Sequence, residues 1–471
     1  MSEAVADSAT SRSAHPFAAP LRETRAEIAA IVCLVPLLLA VALWNRFPII
    51  FYDTGAYVFE GLGGNFLVER SPVYSLFLRV AGGGLSLWCI VVVQALATAF
   101  AMVECARALA PRLSLGAFLA LGTALVVATG LPWYAGEIEP DCFAAIAVLS
   151  LYVLTFHGGR LDRWRRSLLF GTAVLAVAVH LSHLMLATGL VAVLALYAAA
   201  RRLAKADWQP PQLASPALVC VSGLVVILAC NFLYTGQVFV SRAGPAFLFG
   251  RLLQDRIVMR LLDDTCPQSH YRLCAYKNVL PPSADGWMWG RDSPFQTLGR
   301  YAGTTDESQR IIGEALRRYP LLNMEMALGD TARQFVTFKT GDQVEPQEWA
   351  LRPSLQAYIP TQVAAYMSAR QQRGEFRFGT INRLHVAVGF LSLAGMALAI
   401  GVAIWRRRRE TIVFLGFILV ALIGNAFICG VLATPHDRYQ SRLIWLVPFA
   451  LALVLVERPS FALRGSRESV T

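Results

Sequence analysis

Long apolar runs alternate with short polar segments along this chain, and their spacing predicts an all-α, polytopic membrane protein. Runs of about 17 to 25 apolar residues can cross a bilayer as helices, and lipid admits only helices or closed barrels. Such runs occupy residues 28–50, 84–107, 114–133, 142–157, 216–240, 384–404, 411–432 and 443–456. Residues 168–200 are apolar too, but His180-Leu181-Ser182-His183 interrupts them, which predicts two short spans joined by a turn. The pattern gives about ten spans, with about nine to eleven compatible with it.

Basic residues orient these spans. Arg22 and Arg25 precede the first run, and Arg or Lys clusters occupy 107–112, 158–166, 201–208, 406–409 and the segment after 456. About ten spans put every one of these on one side, cytoplasmic by the preference of Lys and Arg for that face. The other face receives 51–83, 134–141, the His180 turn, 241–382 and 433–442. Residues 1–27 then read as a disordered cytoplasmic N-terminus and 28–240 as a transmembrane module of about seven spans. Residues 241–382 form an extracytoplasmic region, 383–457 a second module of about three spans, and 458–471 a cytoplasmic tail. The first run lacks a small-residue cleavage site and continues into Trp44-Asn45-Arg46-Phe47-Pro48, so it reads as a retained span rather than a signal peptide.

Composition agrees. The chain is 56% hydrophobic and 15% charged, against roughly 25% charged in soluble domains. Its net charge of +11 is therefore topological. No basic tract is interleaved with aromatic residues, so nucleic acid is not an expected partner.

The polar region carries its own helical signals. Phe247, Leu248, Leu252, Leu253, Ile257, Leu261 and Leu262 recur at helical spacing among charges, which predicts a helix lying on the membrane surface over 246–262. Residues 306–319 predict an amphipathic helix ending near Tyr319-Pro320, and 321–338 a further helix. Between them, 279–305 reads as a Pro- and Gly-rich loop with Trp287 and Trp289 as anchors. Cys266 and Cys274 sit together in this region, as a disulfide in an oxidising compartment or as two free thiols. A metal site there would lack a second ligand pair.

Ionisable residues converge on one face. Asp53 follows the first run, and Glu137, Glu139 and Asp141 lie in a loop without Lys or Arg. His180 and His183 mark the next turn on that face, and His436-Asp437-Arg438-Tyr439 precedes the last run, with Arg442 one turn on. Such a cluster can deprotonate a hydroxyl and hold an anion, and ionisable groups at membrane depth call for a functional reading. Plainer roles fit each residue singly. Asp53 can cap a following helix, Glu139 and Asp141 can form the first turn of the 142–157 span, the histidines can be packing residues, and Arg438 and Arg442 can be snorkelling anchors. No cofactor is indicated, and a divalent metal at His180 and His183 would find no obvious third ligand.

Asp53-Thr54-Gly55-Ala56-Tyr57, followed by Arg70-Ser71-Pro72-Val73-Tyr74, resembles the first outer loop of the GT-C membrane glycosyltransferases, which include protein O-mannosyltransferases and bacterial lipid-A aminoarabinose transferases. Glu139-Pro140-Asp141 is similar to their second acidic motif, and Arg438-Tyr439 to the Arg-Tyr signature near their C-terminus. The resemblance covers the N-terminal half and the last span or two. Asp53-Thr54 departs from the Asp-Glu pair of many members, and residues 241–382 match no family domain. It implies a GT-C-like fold in a bacterial inner (plasma) membrane, with a periplasmic active site in loop 51–83. Transfer would run from a polyprenyl-phosphate sugar donor to a glycan, lipid or protein acceptor, with membrane lipids as further partners. Asp53 would be the general base. Tyr57, Glu69, Arg70, Glu139, Asp141, His180, His183, Arg438, Tyr439 and Arg442 would line the substrate site, with Arg438 and Arg442 first on the phosphate and Arg70 and Arg242 behind them. Three rivals share parts of this pattern: an O-antigen ligase or polymerase using Arg251, Arg256, Arg260 and His270; a transporter or flippase, which would need polar groups at mid-membrane; and a non-catalytic scaffold.

Overall fold

A computed structural model describes residues 16–21 and 23–456. Expectations for the N-terminal segment 1–15, for Arg22 and for the tail from 457 lie outside the described residues. The fold is 74% helix, and among the described residues there is no strand. Among the described residues six helices are long and apolar enough to cross a membrane: Leu87–Leu109, Leu181–Leu203, Ala214–Thr235, Phe378–Trp405, Arg409–Leu432 and Asp437–Val456. Leu115–Ala128 and Cys142–Phe156 are apolar but shorter. Exposed Leu196, Val221, Leu391 and Leu398 stud the long helices, as lipid-facing positions should.

Local chemistry sets where the helices start and stop. Ser71 accepts a bond from Val73 N ahead of Pro72, a residue suited to the first helical position, and opens Pro72–Val80. Ser86 and Ser114 likewise cap Leu87–Leu109 and Leu115–Ala128. The first apolar run is split into Thr24–Leu38 and Ala40–Asn45, with Pro36 inside the first piece. Proline removes a backbone donor and crowds the preceding turn, so the run does not continue as one rod.

The bundle is built around Cys142–Phe156, all of whose residues are buried. Its neighbours include Leu87–Leu109, Arg163–Ala178 and Leu181–Leu203. That position explains a helix apolar on every side. At the end of the bundle that carries Arg165, this guanidinium (4% exposed) binds Glu27 and, at 2.7 Å, Glu104, tying three helices together.

The polar region departs from expectation. The apolar stretch 246–262 is not one helix, and its apolar face packs into protein. It forms two helices, Gly244–Gln254 and Ile257–Thr265, broken at Arg256 (φ 63°). Phe249, Leu252, Ile257, Leu261 and Leu262 are buried in a second core with Trp287, Phe295 and Ile311. The covering partner is Arg300–Arg318, which begins before the expected 306 and ends where Tyr319-Pro320 requires. Trp287 is thus a core residue rather than an anchor. Pro320–Phe335 packs along Arg409–Leu432 and joins the second core to the bundle.

After it, the chain crosses back over the bundle end and forms Glu348–Tyr358, which packs on Thr54–Gly63. Gly55 is what permits this: a Cβ there would sit 1.7 Å from Ala350 O. Ser354 Oγ donates to Gly55 O at 3.0 Å across the same contact.

Candidate functional site

Backbone pairing brings two loops distant in sequence together. Ile49 N donates to Gly136 O at 2.9 Å, and Ile138 N donates to Ile49 O at 3.0 Å. Thr54 Oγ1 then donates to Ile138 O at 3.0 Å. Asp53 thereby comes to lie with Glu137, Glu139 and Asp141. Gln371 braces the first loop from the far end of the chain: it accepts from Ile50 N at 3.0 Å, donates to Ile50 O at 2.6 Å, and its backbone N donates to Asn45 Oδ1 at 2.8 Å.

The four carboxyl groups sit in different surroundings. Asp53 has a side chain 30% exposed and forms an ion pair with Arg70. Arg70 in turn lies 5.6 Å from the centre of the Tyr57 ring. Tyr57 is buried and stacks edge-on against Tyr74 at 4.7 Å. Tyr74 Oη donates to Gln94 Oε1 at 2.7 Å, and Gln94 Nε2 donates to Glu137 O at 2.8 Å, so a side chain from inside an apolar helix props the acidic loop. Glu139 is 1% exposed and neither of its oxygens has a hydrogen-bond partner. Burial, then the nearby Asp53 charge, pushes its carboxyl well above the usual range. Glu137 is pushed up the same way, by burial and then by Asp141. Burial acts on Asp141 too, but the guanidinium groups of Arg438 and Arg442 outweigh it and hold that carboxyl below the usual range.

Arg442 and Arg438 differ in how far they are committed. Arg442 is 0% exposed. It donates to Asp141 Oδ1 at 2.7 Å, Asn425 Oδ1 at 3.0 Å and Ser182 Oγ at 3.2 Å. It is a clamp between three helices, with no face left for a ligand. Arg438 lies 4.1 Å from the Phe51 ring centre and 5.2 Å from that of Tyr439, with its Nε 3.7 Å from Asp141. Among the described residues its guanidinium makes no side-chain hydrogen bond, and its backbone N donates to Asp342 Oδ2 at 3.3 Å. Asp342 also faces His436 at 3.5 Å. Burial would raise its carboxyl, but the hydrogen bond and charge of His436 hold it low.

The remaining expected residues are placed as follows. His180 caps Leu181–Leu203, its Nδ1 2.7 Å from Ser182 Oγ. Burial, followed by the Arg442 charge, pushes its pKa down to about 4, so it is a neutral neighbour of the clamp. His183 is 0% exposed with Nδ1 3.0 Å from Ala176 O, a packing position. Glu69 stands apart, paired with Arg300 at 3.0 Å. Arg242 covers Phe239 at 4.2 Å and bonds Gln237. Cys266 and Cys274 form a disulfide, Cα–Cα 5.7 Å, at the edge of the second core. Among the described residues no three His, Cys, Asp or Glu side chains gather as metal ligands would.

Phe51, Tyr134, Glu137, Asp342, Val344 and Arg438 line a cleft of about 10 Å³, close to the space one water needs. Gly341, Asp342 and Val344 form one wall of it. Gly341 (φ +87°) shapes that wall, because a Cβ there would sit 2.1 Å from the Phe378 ring.

Sequence reading missed Asn425, Ser182, Asp342 and Gln371. Asn425 carried a signal, a lone amide inside the 411–432 run, where an unpaired amide would be costly in lipid. Gln371 carried none, since its partners lie 321 residues away. Compared with protein-family models, with curated proteins and with solved structures, the chain matches none.

Proposed function

We propose that the chain is a GT-C-type membrane glycosyltransferase with about ten spans, acting at the extracytoplasmic face of a bacterial inner membrane. The observation that carries the reading is a pair. Arg438 presents a guanidinium without side-chain hydrogen bonds, stacked on Phe51, and Asp53 nearby is the one acid of the group with substantial exposure. A guanidinium fork matches phosphate oxygens, and an accessible carboxylate can take a proton from a hydroxyl.

The reaction divides between them. Asp53 accepts the proton as the acceptor hydroxyl oxygen forms its bond to the anomeric carbon. The bond from that carbon to the phosphate oxygen breaks, its electron pair stays on that oxygen, and polyprenyl phosphate leaves against Arg438. Arg70 positions Asp53. Arg442 and Asp141, placed above among the substrate ligands, become the clamp that fixes Arg438, and Glu139 is a neutral acid behind Asp53. The ligase or polymerase reading loses its first candidate, since Arg251 is 2% exposed and paired with Asp255 at 2.7 Å and Asp330 at 3.4 Å.

The test has two arms. A strain lacking the protein should accumulate a polyprenyl-phosphate sugar, identified by mass spectrometry of extracted lipids. Purified Asp53→Asn protein should lose transfer from that lipid while keeping wild-type folding. An active Asp53→Asn enzyme sinks the assignment of the base, and an unchanged lipid pool sinks the transferase.

A further inference from the structure

Beside Asp53 the surface carries an aromatic pair that the fold has taken care to place. Trp349 is 68% exposed, and its ring lies 5.6 Å from that of Tyr52, tilted by 37°. The two lie 297 residues apart in the sequence. They meet because Ala350 O rests against Gly55, where only glycine fits. Tyr52 Oη donates to the carboxylate of Glu345, which fixes the ring beside an exposed acid. On its other side Tyr52 touches Phe51 at 5.8 Å, and Phe51 carries Arg438 at 4.1 Å. One line of groups therefore runs from Arg438 through Phe51 and Tyr52 to Trp349, with Asp53 on the residue next to Tyr52.

We propose that Tyr52 and Trp349 form a platform for a saccharide acceptor, a reading that rests on the transferase assignment. The negative face of an aromatic ring attracts polarised C–H groups, and a pyranose presents a face of C–H bonds rimmed by hydroxyls. Glu345 and Asp53 supply acceptors for those hydroxyls. The local charge disfavours an anionic ligand, because Glu345 and Glu348 flank Trp349 and, among the described residues, Glu348 pairs with Arg352 while Glu345 has no basic partner. The same two acids set Trp349 apart from an interface anchor, which would carry them towards lipid.

The test uses the full chain in lipid nanodiscs, with maltohexaose, cellohexaose and chitohexaose as probes in titration calorimetry. At least one should bind the wild-type protein. Trp349→Ala should weaken binding about tenfold, the usual effect of truncating a contact tryptophan, and raise the acceptor KM without changing that for the donor. Trp349→Phe keeps a ring and should recover most of the loss. Saccharide binding that ignores Trp349→Ala, or no binding of any probe, overturns the platform. So does quenching by brominated lipids of the fluorescence difference between wild type and Trp349→Phe, which would make Trp349 a membrane anchor. A protein that binds saccharide through Trp349 yet transfers nothing refutes the transferase and leaves the platform. A protein that transfers sugar with an acceptor KM indifferent to Trp349 does the reverse.

Discussion

Replacing Asp141 by Asn separates the clamp from the ligand site. Asp141 is 1% exposed, with Arg442 bonded at 2.7 Å and the Nε of Arg438 at 3.7 Å. Asparagine keeps the shape and one acceptor oxygen but removes the only charge that both guanidinium groups share. At an effective dielectric constant of about 20, a charge pair near 4 Å is worth about 4 kcal/mol, and breaking a buried pair from one side costs about 3–5 kcal/mol. The retained hydrogen bond offsets about 1 kcal/mol. Asp141→Asn should therefore lose about 3 kcal/mol. Arg442→Met should lose a similar amount, because it removes the charged donor to Asn425 Oδ1 and leaves Asp141 with the more distant Arg438. The double variant should lose at least about 2 kcal/mol less than the sum, since residues in one network do not act independently. Unfolding in mixed detergent–SDS micelles, followed by circular dichroism, reads all three. A loss below about 1 kcal/mol for Asp141→Asn, or strict additivity in the double variant, would show that the buried charges are not coupled as the geometry requires.

Arg438→Ala should differ in kind from Arg442→Met: a large loss of transfer, with a smaller loss of stability in the same micelle assay. Gly55→Ala should cost about 1–3 kcal/mol, or push Glu348–Tyr358 off its seat, seen as new protease cleavage near 345–350. Glu139→Gln tests the pH linkage. An acid whose folded pKa is raised contributes stability fully present below its unfolded value of about 4.3, and loses it as pH rises, by about 1.4 kcal/mol per unit until the folded pKa is passed. The variant should match wild type near pH 4 and exceed it increasingly above that, and a pH-independent difference would contradict the burial of Glu139. Reducing the disulfide, or Cys266→Ser with Cys274→Ser, should destabilise the second core by about 2–3 kcal/mol, measured by protease resistance of residues 244–318.

Membrane helices were legible because lipid imposes a length and a polarity on them. Cys142–Phe156 and Arg409–Leu432 begin within a few residues of the apolar runs that announced them. The second core was misread for a physical reason: the spacing of Phe249, Leu252 and Ile257 states that one face is apolar, but not whether lipid or Arg300–Arg318 covers it. The site divides along the same line. Asp53, Glu139, Asp141, Arg438 and Arg442 stood out as charges at the ends of apolar runs. Their roles did not, because commitment depends on partners such as Asn425 and Ser182, and the pairing of Glu69 with Arg300 could not be read from either residue alone. The contact between Trp349 and Tyr52 was invisible because it joins segments 297 residues apart through one glycine.

The brace from Gln371 to Ile50 has a temporal side. A ribosome adding roughly 5–20 residues per second needs about 16 to 64 s to cover the 321 residues between them. Until then the loop bearing Asp53 lacks the amide that holds its backbone and the wall formed by Asp342. The early helices can enter the bilayer throughout that interval, before the brace from Gln371 forms. An aborted product that stops short of Gln371 would therefore occupy membrane with the Asp53 loop unbraced.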